Sequence, residues 1–178
     1  MHALRPNLVS EREFFELPES MTRVELIDGE VVVSPAPTFR HQRILTRVVY
    51  ALESWGRGRD APVTVGQSPI DVRFGPDRIL QPDAFVILGP VPLDVAGPLD
   101  RIPELCVEVL SQDRVYDRVT KRLIYAGAGV REYWVVEPTG VVERWSGDHL
   151  DLAEVVDRIL ESPLLPGFGL DVRTLVAS

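Results

Sequence analysis

Hydrophobic and polar positions along the first third of the chain predict a helix, a hairpin and a longer helix. Ser10 followed by EREFFEL has the pattern of a capped short helix that ends near Pro18. Two β-rich runs then flank Asp28-Gly29, a dipeptide that strongly favours a tight hairpin turn. Thr38 begins the longest helical pattern, which Gly56 or Gly58 ends. One face of this helix is apolar and carries Leu45, Val48, Val49, Leu52 and Trp55.

The rest of the chain reads mainly as strands. Residues 61–66, 69–75, 79–88 and 104–111 have β-rich sequences, and the last run, ELCVEVLS, is apolar enough for a strand buried on both faces. A helical pattern follows at residues 115–129, and a second hairpin is expected around the turn at Thr139-Gly140. The tail at residues 164–175 fits either an edge strand or wrapping coil. This order predicts one α/β or α+β domain spanning residues 1–178, with a mixed sheet flanked by two main helices.

Composition and charge limit the classes of function. The chain has 178 residues, a net charge of −8 and a pI near 4.9, whereas proteins that bind nucleic acid by neutralising phosphates are normally basic. A polyanionic substrate would therefore need a local arginine patch, a bridging metal, or both. Neither a signal peptide nor a membrane span is indicated, and the single Cys106 fits a small buried hydrophobe, so a cytoplasmic location is expected.

Two acidic residues fall in apolar surroundings. Asp83 follows Pro82 at the head of the run AFVIL, and Glu108 lies inside LCVEVL. An unpaired buried carboxylate costs several kcal/mol, so each acid needs compensation. Ion pairing with arginine is one answer, and a shared divalent cation is the other, because Mg²⁺ binds carboxylate oxygens together with water and phosphate.

Lys121 is the only lysine in a chain with 18 arginines. At helical spacing it shares a stripe with Asp117 and Tyr125, apart from the apolar residues of the same helix, Val115, Val119 and Leu123. The apolar side is expected to pack while Lys121 faces a cleft. A lysine ammonium has an adjustable pKa and an arginine guanidinium does not, which favours a functional role. An exposed i,i+4 pair between Asp117 and Lys121 is the alternative.

Several blocks of the sequence, taken together, resemble one family. They are VELIDGEVVVSP, RHQRIL, IDVRF, QPDAFVI, CVEVLS and DRVTKRLIYAGAGVREYWVVEP. The chain resembles the Uma-type, restriction-endonuclease-like family of the PD-(D/E)XK nuclease superfamily. The resemblance implies a restriction-endonuclease-like mixed β-sheet flanked by helices, with additional β-hairpins.

The resemblance also implies a metal site. Asp83 and Glu108 would hold Mg²⁺, with Mn²⁺ as a substitute, and Glu25 matches an acid that assists directly or through water. The superfamily places a lysine two residues after the second acid, where this chain has Leu110. The Uma-type branch supplies the lysine from the following helix, and Lys121 matches that position, where it would orient the attacking water.

Other residues are candidates for supporting roles. His41 and Gln42 match a His-Gln pair of the family, although a histidine on the apolar face of a helix can also be a core residue. Gln81 and Tyr125 are expected near the site. Three arginines of the long helix, which otherwise form a solvated face, are candidates for phosphate binding: Arg40, Arg43 and Arg47.

The function implied is a Mg²⁺-dependent endonuclease that hydrolyses phosphodiester bonds in DNA and acts as a homodimer. Two alternatives stay open. One is a binding or assembly module that keeps the nuclease fold without turnover, which the acidic net charge and the displaced lysine favour. The other is a hydrolase that uses Asp83 and Glu108 as an acid/base pair, although no sugar-binding aromatic groove accompanies them.

Overall fold

A capped helix and a hairpin open the part of the chain that the computed structural model describes, residues 8–18, 22–110 and 116–177. Helix α1 spans Glu11–Phe15, and Ser10 and Glu13 form a reciprocal capping box at its start. Strands β1, Arg23–Ile27, and β2, Glu30–Ser34, pair antiparallel around Asp28 and Gly29, which both have positive φ. Both elements confirm the sequence predictions.

Helix α2, Phe39–Arg57, is the longest helix of the described residues and confirms the predicted boundaries. The Thr38 side chain accepts a hydrogen bond from the main-chain N–H of His41, and Gly58 follows the last turn. The apolar face packs into the core through Ile44, Leu45, Val48 and Leu52. His41 is buried on the same side of the helix.

The other strands follow in chain order. They are β3 (Thr64–Gln67), β4 (Val72–Gly75), β5 (Arg78–Leu80), β6 (Ala84–Ile87), β7 (Leu105–Val109), β8 (Glu132–Val136), β9 (Val142–Ser146), β10 (Leu152–Val156), β11 (Ile159–Glu161) and β12 (Gly169–Asp171). Six of them form a sheet in the order β10-β9-β8-β7-β6-β3, in which β7 and β8 run parallel and the other neighbours antiparallel. The mixed sheet flanked by helices is therefore confirmed.

Strand β7 lies inside this sheet and is buried on both faces, as its apolar sequence predicted. One face of the sheet packs against α2 through residues such as Val86, Val107 and Trp134. The opposite face holds a second core, in which Cys106 and Tyr133 are buried. The expectation that Cys106 is a buried hydrophobe is confirmed.

Residues 79–88, predicted as one strand, form two strands in two different sheets. Strand β5 belongs to a four-stranded sheet in the order β2-β1-β5-β4, whereas β6 belongs to the six-stranded sheet. The break falls at Gln81, Pro82 and Asp83, where the proline has no N–H to donate to a strand partner. Asp83 consequently stands at the crossing from one sheet to the other, beside β1 and β7.

The helical segment after β7 buries a different face from the one that the sequence predicts. It begins with a π-helical turn at Tyr116–Lys121 and continues as helix α3, Arg122–Ala128, which Gly129 ends with a φ of 93°. Lys121 and Tyr125 are buried, while Val119 and Leu123 are 44% and 59% exposed. The expectation that the apolar side packs is wrong, because the polar stripe has hydrogen-bond partners inside the protein. Val115 lies outside the described residues.

The C-terminal segment packs beside α2. Strands β11 and β12 pair with each other, and a 3₁₀ turn follows at Val172–Leu175. The edge strand expected in the tail corresponds to β12, whereas β10 and β11 had not been predicted. Among the described residues, no helix combines the length and apolar character needed to cross a membrane.

Candidate active site

Three carboxylates from three separate strand regions form one buried cluster, and two of them contact the single lysine. Glu25 comes from β1, Asp83 from the crossing before β6, and Glu108 from β7, and all three are at most 2% exposed. Nζ of Lys121 lies 2.9 Å from Oε1 of Glu108 and 3.4 Å from Oε1 of Glu25. The structure thus brings together the four residues that the sequence singled out for a metal site and its lysine.

A pocket of about 540 Å³ opens onto this cluster. Asp83, Glu108, Asp117 and Lys121 line one part of it. Its rim includes residues of β2 and the first turn of α2, where His41 and Gln42 stand. The cluster is therefore reachable from outside even though its acids are buried.

Hydrogen bonds to the side chain of Asp83 keep it ionised as a carboxylate. Its Oδ2 accepts a hydrogen bond of 2.7 Å from the main-chain N–H of Val109 and lies 3.1 Å from Nε2 of His41. Burial alone would raise the pKa of Asp83, but the His41 hydrogen bond and the charges of Arg23 and Lys121 lower it below the usual range. His41 is therefore a supporting residue of the cluster as well as part of the buried face of α2.

Glu25 is oriented by the crossing segment. Its Oε1 accepts a 2.8 Å hydrogen bond from the main-chain N–H of Gln81, and its Oε2 accepts one of 3.1 Å from the hydroxyl of Tyr116. Burial favours the neutral acid, but the positive charges of Lys121 and Arg23 hold the pKa of Glu25 below its ordinary value. The side-chain amide of Gln81 instead donates to Asp71.

The pKa of Glu108 shifts in the opposite direction to the pKa values of Asp83 and Glu25. Its Oε1 accepts hydrogen bonds from Lys121 and, at 2.7 Å, from the hydroxyl of Tyr125. Burial, with a contribution from the negative charge of Asp83, nevertheless raises the pKa of Glu108 to about 8, despite the opposing charge of Lys121. Of the three acids, Glu108 is therefore the one that binds a proton most readily.

Lys121 is retained as an ammonium. Burial would lower its pKa, but the charges of Glu108 and Glu25 outweigh burial and raise the pKa above its ordinary value. Its Nζ also lies 5.4 Å from the centre of the Tyr116 ring and 3.8 Å from Oδ1 of Asp117. The predicted pair of Asp117 and Lys121 exists, but it is buried inside the cluster and not exposed. The raised pKa makes Lys121 a fixed cation and hydrogen-bond donor, not a proton acceptor.

Arg23 is a member of the cluster that sequence reasoning missed. Its Nη1 donates to Oδ1 of Asp83 at 2.7 Å, and its Nη2 lies 3.2 Å from Oε1 of Glu25 and 3.6 Å from Oε2 of Glu108. The signal was present, because Arg23 precedes Glu25 by two residues in a strand and side chains at i and i+2 share a face. Of the two answers left open for the buried acids, arginine pairing is thus realised here.

The arginines of α2 are placed away from the cluster. Arg40 and Arg43 are exposed and do not line the pocket. Arg47 donates to the main-chain carbonyls of Thr174, Leu175 and Ala177, so it anchors the C-terminal segment. Its guanidinium is engaged there, and phosphate binding by Arg40, Arg43 and Arg47 stays a prediction.

The donor set suits a hard divalent cation in kind and in charge. Glu25, Asp83, Glu108 and Asp117 outnumber the two cations Arg23 and Lys121, and carboxylate oxygens are the ligands that Mg²⁺ prefers. Among residues 8–18, 22–110 and 116–177, no three His, Cys, Asp or Glu side chains are already grouped for metal ligation. The acids therefore fit a metal only if the guanidinium between them moves.

Comparisons with known proteins agree with this fold. Residues 12–173 match the sequence model of the family Uma2, described as "Putative restriction endonuclease". A crystal structure of a putative nuclease belonging to DUF820, from Anabaena variabilis, superposes with a TM-score of 0.79 at 22% sequence identity, covering 94% of this chain and 97% of the other. A search of proteins with curated descriptions found no match.

Proposed function

The chain belongs to the Uma2 family of putative restriction endonucleases, and we propose that it is a divalent-metal-dependent endonuclease that hydrolyses phosphodiester bonds in DNA. The observation that carries the proposal is the meeting of Asp83, Glu108 and Lys121 at one pocket, with Glu25 in contact with Lys121. Buried acids in excess of buried cations are costly, and such clusters are typical of catalytic sites. Mg²⁺ is the cation proposed, with Mn²⁺ as its substitute.

The acids have separate tasks in this proposal. Asp83 and Glu108 would hold the ion, and Glu25 would assist; when bound, the ion supplies Lewis-acid activation of the phosphate and of the attacking water. The hydrogen bonds from Val109 and His41 keep Asp83 ionised and aimed. The hydroxyl of Tyr125 orients Glu108 through a hydrogen bond to Oε1. Each ligand is thus held by a second residue, which reduces the reorganisation that substrate binding demands.

Lys121 is assigned to electrostatic stabilisation. Its ammonium stays protonated among carboxylates, so it donates hydrogen bonds and does not abstract a proton. A donor at this point can steady negative charge on a phosphate that enters the pocket. The residue thereby takes the role of the superfamily lysine, although it comes from the segment after β7 and not from β7 itself.

DNA as the substrate must be reconciled with an acidic chain. The exposed Arg40 and Arg43 lie on the first turns of α2, close in sequence to His41 and Gln42 at the pocket rim. Together with the positive end of the α2 dipole, they would contact phosphates outside the pocket. Cleavage of DNA also fits the cytoplasmic location that the single cysteine favours.

A second candidate is a nuclease-fold module that binds a partner without turnover. The specific observation in its favour is Arg23, whose guanidinium neutralises the same acids that a metal would need. In that case the cluster is a structural ion-pair network. Titration with Mn²⁺ separates the candidates, since the module does not bind the ion at Asp83 and Glu108.

The test is a nicking assay on supercoiled plasmid DNA with Mg²⁺, Mn²⁺ or EDTA. We expect metal-dependent conversion to nicked and linear forms, and a loss of about a hundredfold or more in Asp83→Asn, Glu108→Gln and Lys121→Met. These substitutions preserve shape, which limits unfolding. Full activity in any one of the three variants would remove that residue from the proposed machinery.

The matched control is Glu132→Gln. Glu132 is another buried acid, which accepts hydrogen bonds from Trp134 and Ser162 and pairs with Arg144 at 2.7 Å. It does not line the pocket. This variant should lose stability but keep the activity of its folded fraction. Equal loss in the control and the site variants would mean that the assay reports folding alone.

A homodimer is part of the proposal. Strand β2 lies at an edge of the four-stranded sheet and exposes Val31 and Val33, at 37% and 61%. Pairing of two such edges would bring two copies together. Sedimentation should give twice the chain mass, and Val33→Lys should reduce it to one chain; a monomer at micromolar concentration rejects the dimer.

A further inference from the structure

The guanidinium of Arg23 lies among the acids whose charge the proposed metal would compensate. It faces one oxygen of each acid: Oδ1 of Asp83, Oε1 of Glu25 and Oε2 of Glu108. The other oxygens are largely held by different donors. For Asp83 these are His41 and Val109. For Glu108 they are Lys121 and Tyr125.

Of the two cations in the cluster, Arg23 is the one positioned to leave. Both side chains line the pocket, but that of Lys121 is only 2% exposed, whereas that of Arg23 is 18% exposed. Withdrawal of Arg23 would move its guanidinium into pocket space that its side chain already borders. Withdrawal of Lys121 would leave a buried gap and several buried acids without a compensating charge.

The hydrogen bonding of Arg23 is also incomplete. Its Nε is buried and has no hydrogen-bond partner among the residues that the structure describes. A buried donor without a partner destabilises the folded protein, and an ionised donor does so more strongly. The position between the acids is thus favoured by charge but is poorly matched to the five-donor fork of an arginine.

The pocket offers an alternative partner for this guanidinium. A DNA phosphate entering there presents oxygens in the planar geometry that arginine binds with two hydrogen bonds. Arg23 would then exchange its carboxylates for a phosphate. It would release Oδ1 of Asp83 and Oε2 of Glu108, the two proposed metal ligands, whereas Oε1 of Glu25 keeps its hydrogen bond from the main-chain N–H of Gln81.

We propose that Arg23 is a built-in competitor of the divalent ion, so that the acids hold either the guanidinium or the metal, and DNA promotes metal binding by drawing Arg23 away. The inference rests on the proposed function. It makes the binding of DNA and of metal mutually reinforcing, because coupling between two ligands is reciprocal. It also reconciles the Arg23 ion pairs with a metal-dependent site.

The experiment measures Mn²⁺ binding by electron paramagnetic resonance of the free ion. Three proteins are compared: the native chain, Arg23→Gln and Arg144→Gln. Arg144 is a matched control, since it pairs with the buried Glu132 and its side chain is 16% exposed. Loss of a unit charge a few ångströms away should tighten Mn²⁺ binding by about tenfold or more in Arg23→Gln, and not in Arg144→Gln.

A second arm adds a short DNA duplex, with Mn²⁺ bound by the duplex alone subtracted. DNA should tighten Mn²⁺ binding to the native chain and to Arg144→Gln, but not to Arg23→Gln. Equal or weaker Mn²⁺ binding by Arg23→Gln overturns the inference and leaves the metal site standing. No Mn²⁺ binding by any of the proteins overturns the proposed function itself.

Folding of the variant is checked by its melting curve with and without Mn²⁺. If Arg23→Gln is unfolded in EDTA, restoration of a cooperative transition by Mn²⁺ supports the competition, because the ion then replaces the missing cation. A variant that stays unfolded at saturating Mn²⁺ contradicts it. Arg144→Gln should gain no such restoration.

Discussion

The ammonium of Lys121 donates a 2.9 Å hydrogen bond to Oε1 of Glu108, and both groups are almost completely buried. The two residues come from different elements, β7 and the π-helical turn that follows it. Their contact links the central strand of the mixed sheet to the segment that covers it. The pair is therefore a stability determinant as well as the centre of the proposed active site.

A double-mutant cycle should measure this contact. Lys121→Met leaves acids uncompensated, and we expect it to lower the free energy of unfolding by about 3 kcal/mol. The double variant, Lys121→Met with Glu108→Gln, should lose less unfolding free energy than the sum of the two single losses. The coupling free energy should be about 1–3 kcal/mol. Urea denaturation of the four proteins gives each value. The exposed pair Arg12 and Glu16 is the control, with expected coupling below about 0.5 kcal/mol; equal coupling in both cycles would contradict a buried contact.

The stability of the metal-free protein should fall as the pH rises from about 5 to about 8. Burial raises the pKa of Glu108 to about 8, and burial raises that of Asp117 to about 6. Over this window the folded state keeps protons that the unfolded state has released, so unfolding becomes easier with each step in pH. One such proton corresponds to about 1.4 kcal/mol per pH unit at most.

Chemical denaturation in EDTA across this range tests the direction. Asp83 and Glu25 have lowered pKa values, so their opposite contribution is lost only as the pH falls below about 4, outside the window. Glu108→Gln should flatten the profile, whereas Glu132→Gln should keep its slope. Stability that rises between pH 5 and 8 would show that Glu108 is ionised in the folded protein.

Removal of one hydroxyl should change the titration of Glu108. Tyr125→Phe deletes the 2.7 Å hydrogen bond to Oε1 of Glu108 and should raise the pKa of that carboxyl further, because a donor to the charged form is lost. Carbon-13 NMR of the glutamate side chains follows this titration. Tyr133→Phe deletes a 2.8 Å bond to the main-chain carbonyl of Asp117 instead. Both variants should lose about 1–2 kcal/mol of stability, but a comparable Glu108 shift in Tyr133→Phe would contradict the assignment.

Two glycines should respond in opposite ways to alanine. A Cβ on Gly66 in β3 would lie 2.0 Å from Cζ of Phe85, a buried side chain of β6. Gly66→Ala should therefore destabilise the protein by about 3 kcal/mol. Gly127 lies in α3 with no described atom within 4 Å of its added Cβ, so Gly127→Ala should be neutral or stabilising by up to about 1 kcal/mol. Thermal melting of both variants distinguishes them, and a stable Gly66→Ala would contradict the close packing of β3 on Phe85.

Local signals in the sequence predicted local structure well. Ser10 and Thr38 cap their helices, and Asp28-Gly29 turns the first hairpin, because caps and turns depend on residues within a few positions of one another. The apolar run around Glu108 likewise predicted a strand buried on both faces. The family motifs predicted that Asp83, Glu108 and Lys121 lie together. No periodic pattern of hydrophobic and polar residues in this chain indicates that grouping.

Local patterns failed where distant segments decide the outcome. The run at residues 79–88 looked like one strand, but its halves pair with different sheets. Val119 and Leu123 looked like the packing side of their helix and are exposed, since buried partners exist for Lys121 and Tyr125. Their shared partner, Glu108, is not a sequence neighbour of either residue.

The sequence by itself determined the capped helices, the first hairpin, the buried strand β7, and the presence of acids that need a compensating charge. Only the tertiary structure decided which charge compensates them, because Arg23, Asp83 and Glu108 are separated by tens of residues and meet only where the two sheets come together. Electrostatic energy depends on distances of a few ångströms. Those distances are a property of the folded chain, so the position of Arg23 among the acids was visible only there.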